Sequence, residues 1–405
     1  MERPRLRSVL ARPAYRRLWA ARTVSQCGDV AQFTTLALLV LHLTGSGLGV
    51  SGAVLAEIAP ALIFAPLAGP MVDRLPRVRV MVSADLVRVV LAAVLALWHS
   101  EIAVVYVVAF GLSAGAVFFN PAASSLLPAV VDEEELVAAN SGIWSAAVLS
   151  QILLAPLAGL LAATAGYGWT FALNVASFAL SAVLLRGLRV TQPPASATVG
   201  TIWTQGREAL SLLGRDRLLR GLAVGQALAA LSAGATSALL VVLARERFHA
   251  GGGRYGLMLA TIGVGAFVGP LMLTRFSAAV RRPRVVFAAF GLRGAVDLVL
   301  ASVAALPAAL GALVFYGLGT STGNVTFSSV IQSHVPPQLR GRVFSAFDLI
   351  WQAMRLASLL IGGLLADRLG IRAVYYLGGG LLIAAALAGV TTSTDVRERC
   401  AASPW

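Results

Sequence analysis

Two acids, Asp29 and Glu57, lie inside long apolar runs of this chain. Asp29 follows Arg17 by 12 residues and Glu57 precedes Gly69 by 12; at about 1.5 Å per helical residue each lies roughly 18 Å along its helix. A carboxylate withdrawn from water takes up a proton or a cation, because the neutral assembly loses less solvation. Around Asp29, the residues Arg22, Gln26, Gln32 and Phe33 recur at intervals of three and four, which puts them on one helix face. Asp348, Gln352 and Arg355 form a second polar face at the same spacing, with Trp351 beside them. Arg293 and Asp297, four apart, read as a pair in which each charge neutralises the other. The alternative for Asp29 is a bond to a neighbouring helix, and for Glu57 an approach to the outer surface.

These residues must be held by helices surrounded by lipid. Of 405 residues, 58% are hydrophobic and 12% charged, too little polar surface to cover soluble domains of that size. A helix crossing a hydrocarbon core of about 30 Å needs about 20 mostly apolar residues. Twelve runs qualify: 18–43, 50–71, 80–98, 102–122, 136–163, 168–186, 218–243, 256–276, 285–306, 308–332, 343–366 and 373–392. The first span is long and is followed directly by another, so no cleavable signal peptide is expected.

The net charge of +14 comes from arginines placed between spans. With the N-terminus in the cytoplasm, 23 of the 32 arginines fall in inside segments and 5 in outside loops, a bias that puts both termini inside. Basicity here is membrane topology, with attraction to anionic lipid, and not a nucleic-acid interface. There is no lysine, which excludes a P-loop ATP-driven pump in one chain and a retinal or pyridoxal Schiff base on a lysine amine. Active transport must then draw on an ion gradient. Cys27 lies in a span and Cys400 in the tail, so no disulfide is expected. The four histidines are scattered and no HExxH or CxxC occurs, so no metal, cofactor or enzymatic chemistry is expected.

The chain repeats itself at an offset of 204 residues: GLLAATAG at 159–166 returns as GLLADRLG at 363–370, and Ser124-Ser125 as Ser328-Ser329. LAGPM at 67–71 recurs loosely as FVGPL at 267–271. The expected organisation is an N-terminal six-helix bundle (1–186), a cytoplasmic linker (187–217) carrying either a short amphipathic or an ordinary linker helix, and a C-terminal six-helix bundle (218–405). DEEE at 132–135 is either a solvated charge run or docks onto Arg77 or the linker arginines.

AGPMVDRLPRVRV at 68–80, between spans two and three, resembles the loop signature of the major facilitator superfamily, G-x-L-a-D-R-x-G-R-[KR]. Gly69, Asp73, Arg74 and Arg77 match, while Met71 stands for Leu and Pro76 for Gly. The resemblance implies a twelve-helix transporter in which this motif gates the cytoplasmic mouth. Topology alone also accounts for Arg79. QCGDVAQFTTLALLVLHLTGS, FFNPAASSLLPAVVDEEELVAANS and HVPPQLRGRVFS resemble the macrolide-efflux-like and enterobactin-exporter-like branch of drug:proton antiporters. The antiporter signature G-P-x-x-G-G is present as APLAGL, keeping Pro156 and Gly159. Span four lacks the arginine of the family's proton relay, so that role does not carry over. The resemblance implies a proton-coupled exporter of small, partly hydrophobic molecules, monomeric, in the plasma membrane. The alternatives are secretion of a self-made metabolite or siderophore, and a scramblase or receptor on a transporter fold.

Overall fold

A computed structural model describes residues 6–188, 190, 214, 216–275 and 283–402. Among them the chain forms fourteen α-helices and no strand. The first seven are α1 (Leu6–Leu10), α2 (Pro13–Thr44), α3 (Gly47–Arg74), α4 (Arg77–Leu97), α5 (Ile102–Leu126), α6 (Leu136–Thr164) and α7 (Tyr167–Arg186). The others are α8 (Arg217–Ala238), α9 (Leu240–Phe248), α10 (Gly252–Arg275), α11 (Pro283–Ser302), α12 (Leu306–His334), α13 (Pro337–Leu369) and α14 (Ile371–Ala402). Helices are the expected solution in lipid, since they satisfy every backbone donor and acceptor within the segment.

Eleven described helices are long and apolar enough to cross a bilayer. The twelfth expected span, at 308–332, is α12. It is one continuous helix of 29 residues, but its GLGTSTGN stretch is, apart from Leu318, glycine, hydroxyl and amide residues, and this dilutes its apolar run. The helix expected in the linker falls on residues outside the described ones.

Contacts divide the chain into two compact units. The first holds Met1–Gly45, Gly52–Val199 and Ala250–Ala260; the second holds Ser46–Ser51, Gly200–His249 and Thr261–Trp405. In the first, α2 packs against α6 and α7, and α4 against α5 and α7. In the second, α8 packs against α13 and α14, and α11 against α12 and α14. The pattern is the same once each helix is matched to its repeat.

The buried cores repeat as well. Tyr15, Leu18, Leu126, Leu127 and Ala139 belong to one apolar cluster of the first unit. The residues 204 positions on, Leu219, Leu222, Val330, Ile331 and Val343, belong to a cluster of the second. Gly166 and Gly370, also 204 apart, both take left-handed backbone, at φ 95° and 85°. Each joins two helices where a side chain would be strained. The repeat seen in the sequence is thus a repeat of turns and core contacts.

Candidate functional site

A cavity of about 410 Å³ opens in the first unit, lined by Gln26, Asp29, Gln32, Phe33, Glu57, Arg88, Ser113 and Gln151 among others. Five of the residues singled out by sequence, Gln26, Asp29, Gln32, Phe33 and Glu57, are therefore brought together. The helical spacing of three on α2 presents Gln26, Asp29 and Gln32 to one side, as the stripe requires. Gln32 accepts a hydrogen bond from the Asn174 amide on α7, and Ser113 on α5 donates to the Glu57 carbonyl on α3. Both bonds orient helices around the cavity.

At the floor of this cavity sits a residue that the sequence reasoning did not single out. Arg88 on α4 has a side chain only 3% exposed and is ion-paired to Asp29, whose side chain is 37% exposed. The same guanidinium reaches Asp85 at 3.4 Å, one turn back on α4, and donates to Ser25 Oγ at 3.3 Å. Its face lies 3.8 Å from the centroid of the Phe178 ring. Asp85 is fully buried and accepts a bond from Ser181 Oγ at 2.6 Å. A Cβ built at Gly115 on α5 would stand 2.7 Å from Arg88 Cγ, so the missing side chain is what lets the arginine stem pass.

Asp29 is thus one end of a chain of charges, carboxylate to guanidinium to carboxylate, with its free edge toward the cavity. Counting Glu57, the site holds three carboxylates and one guanidinium. Charge held inside apolar helices is expensive, and a carboxylate there is a group that a proton or a cation can neutralise. The signal for Arg88 and Asp85 was present in the sequence, as two opposite charges three residues apart inside an apolar run.

In the second unit Asp348 is exposed on α13, while Gln352 and Arg355 are half-buried, and Gln352 Oε1 is buried without a partner. Arg293 and Asp297 are both buried on α11, but their hydrogen bonds go elsewhere. Arg293 donates to Tyr316 and Asp297 accepts from Ser232. The two make no direct bond to each other, yet Arg293 remains the charge that acts on Asp297 in this buried setting.

Of the loop motif, Arg77 at the start of α4 donates to the Ser125 carbonyl at 3.1 Å, and Arg74 is exposed at the end of α3. Gly69 and Asp73 lie in the last turns of α3, and the side chain of Asp73 is outside the described ones. The acidic run is exposed at Asp132, Glu133 and Glu134, as a solvated charge run is, and Asp132 and Glu135 are ion-paired with Arg12, the residue just before α2; the linker arginines Arg189, Arg207 and Arg215 lie outside the described residues. Pro156 sits inside α6, and Gly159 lies directly against the Gly252 backbone. In the second unit, the start of α8 is held by Asp216, which accepts from Leu219 N–H at 2.9 Å and from His334 Nε2 at 2.8 Å. Burial alone would push this carboxyl up, but the bonds from His334 and the backbone outweigh it and hold it below its ordinary value.

Known proteins agree with this architecture. Macrolide efflux protein A of Streptococcus pyogenes is 23% identical over 396 residues, covering 91% of this chain and 93% of its own. A Bacillus amyloliquefaciens protein named as a bacilysin exporter, BacE, is 23% identical over 317 residues, covering 77% of this chain and 79% of its own. A bacterial homologue of the iron transporter ferroportin, solved in an inward-facing state, superimposes with a TM-score of 0.75 at 18% identity over 94% of this chain and 98% of that one. The sequence profile of the Major Facilitator Superfamily matches residues 18–358 and 222–399. With its repeated all-helical units and a charged cavity inside apolar helices, this chain belongs to the Major Facilitator Superfamily, and it is a multi-pass membrane transporter rather than an enzyme.

Proposed function

We propose that the protein is a proton-coupled exporter of small, partly hydrophobic molecules of the drug or antibiotic kind. In this reading it works as a monomer in the plasma membrane with both termini in the cytoplasm. The observation that carries the reading is the Asp29–Arg88–Asp85 chain at the cavity floor. Arg88 has two carboxylates to satisfy, and only Asp29 faces the cavity. A proton arriving at Asp29 releases Arg88 to Asp85, leaving a neutral buried pair and a neutral acid. Loss of that proton restores the bridge. A cationic substrate competes for the same carboxylate, so proton and substrate exclude each other, as exchange requires. Glu57 adds a second carboxylate to the same wall, and Gln26 and Gln32 offer hydrogen bonds to polar parts of a substrate.

The remaining assignments belong to the same reading. Asp348, Gln352 and Arg355 form the polar face offered to substrate by α13. Gly69, Asp73, Arg74 and Arg77 form the cytoplasmic gate, and Pro156 with Gly159 the bend of α6. Similarity to macrolide efflux protein A supports export of an amphiphilic antibiotic. Similarity to the protein named as a bacilysin exporter supports the second reading, secretion of a self-made metabolite.

The test is macrolide flux in proteoliposomes with and without an imposed proton gradient. Asp29→Asn mimics the protonated acid permanently, so gradient-driven accumulation is lost while downhill movement survives. Accumulation that persists in Asp29→Asn removes coupling from this residue and moves it to Asp348 and Arg355.

A further inference from the structure

Asp297 is the one buried carboxylate among those described in the second unit. It is fully buried in α11. Its one hydrogen bond is from Ser232 Oγ on α8, to Oδ2, at 3.5 Å, the outer limit of such a contact. Oδ1 has no partner at all. On the α14 side, Gly378 supplies only backbone, and a Cβ there would stand 3.7 Å from Oδ2. The other polar groups nearby are already engaged. Thr236 donates to the Ser232 carbonyl at 3.2 Å, and Tyr375 on α14 donates to the Thr236 carbonyl at 2.6 Å.

The one charge acting on Asp297 among the described residues is Arg293 on its own helix. Arg293 is turned away. Its Nη2 donates to Tyr316 OH on α12 at 3.1 Å, and its guanidinium lies 5.0 Å from the Tyr316 ring centroid. Arg293 Nε is also without a partner. An ionised carboxylate in such surroundings lacks the donors that buried charge requires, whereas a neutral carboxyl needs far less. Asp85 in the first unit shows the contrast, with a serine at 2.6 Å and a guanidinium both directed at it.

We propose that Asp297 is a second proton-binding site, loaded in the arrangement described here and emptied when Arg293 leaves Tyr316 to pair with it. The step balances simply. The Asp297 O–H bond breaks, the proton leaves for water, and the carboxylate formed takes the guanidinium that Tyr316 gives up. Four residues on one helix is within reach of such a pair. This site stands on residues of the second unit and does not depend on the role of Asp29.

The full chain in lipid vesicles, examined by infrared difference spectroscopy between acidic and alkaline buffer, tests it. The expected result is a carboxylic acid C=O band lost on alkalinisation, present in the wild type, in Asp29→Asn and in Asp85→Asn, and absent in Asp297→Asn. Tyr316→Phe removes the competing acceptor, so its band disappears at lower pH, by about tenfold in proton concentration. A structural role alone predicts no such displacement. An unchanged band in Asp297→Asn, or the absence of any band that this substitution removes, overturns the proposal. If Asp297→Asn does not insert, Asp297→Glu decides: its band must move in frequency, and an unmoved band overturns the site.

Discussion

Arg88 on α4 sits over the ring of Phe178 on α7, with 3.8 Å between guanidinium carbon and ring centroid. The aromatic face gives the cation a partner that no proton removes, so Arg88 stays in place while Asp29 changes charge. Arg88→Lys keeps the charge but loses the planar stack and the fork reaching two carboxylates. The expected stability loss is about 0.5–2 kcal/mol from the stack, together with loss of gradient-driven transport. Thermal unfolding of the solubilised protein and flux in proteoliposomes measure the two effects separately.

Removing the guanidinium outright is worse. Arg88→Leu leaves Asp85 buried without its cation, a change that costs about 3–5 kcal/mol. The double variant Arg88→Leu with Asp85→Asn recovers most of that loss in thermal unfolding but not transport. Recovery of transport would remove Arg88 from the mechanism.

The space for the arginine can be closed. Gly115→Ala places a methyl 2.7 Å from Arg88 Cγ, and Gly319→Ala places one 3.0 Å from Arg293 Cγ. Overpacking of this kind costs about 1–3 kcal/mol, and the Gly115 change should be the more severe. Melting temperatures of the two variants, measured side by side, check the order.

Acid should loosen the start of α8. Asp216 is held below its ordinary value of 3.8, so its contribution is present above that value and disappears as pH falls through the lower, folded one. Asp216→Asn keeps the helix cap but loses the charge partner of His334, and for a pair this exposed the cost is under about 1 kcal/mol. Asp216→Ala loses the cap as well, for about 1 kcal/mol more. The acid limb of thermal stability should flatten in both variants, and an unchanged limb rejects the assignment.

The gate and the acid pair are tested through rate. Asp73→Asn changes charge with almost no change in volume, so an inserted protein with impaired cycling is expected, and normal flux removes the gate. Glu57→Gln should be as damaging as Asp29→Asn if the two acids share a proton, and milder if Glu57 only tunes its neighbour.

Much of this was legible from residue order. Apolar length yields the helices, and the 204-residue repeat anticipates which core residues correspond, because turns and packing positions repeat together. The stripe on α2 placed Gln26, Asp29 and Gln32 on one side because helical spacing is a local property. What was not legible is partner choice across helices. Asp85 and Arg88 resemble a self-neutralising pair until α2 supplies Asp29 and α7 supplies Phe178. Arg293 and Asp297 have ideal spacing for each other, and still Tyr316 and Ser232 take their polar atoms. Arg12 and Asp132 are 120 residues apart, a separation that no local pattern bridges. At α12, hydropathy understates a helix whose polar residues are concentrated in one stretch.

Gly115 and Gly319 stand 204 residues apart, and each clears the way for a buried arginine of the preceding helix. The companion acid does not keep its place: Asp85 comes three residues before its arginine, Asp297 four residues after. The steric recess therefore recurs at the repeat offset while the acid beside it does not. Two recesses of one kind thus hold their arginines in different company, one beside an acid clamped by donors and one beside an acid left short of them.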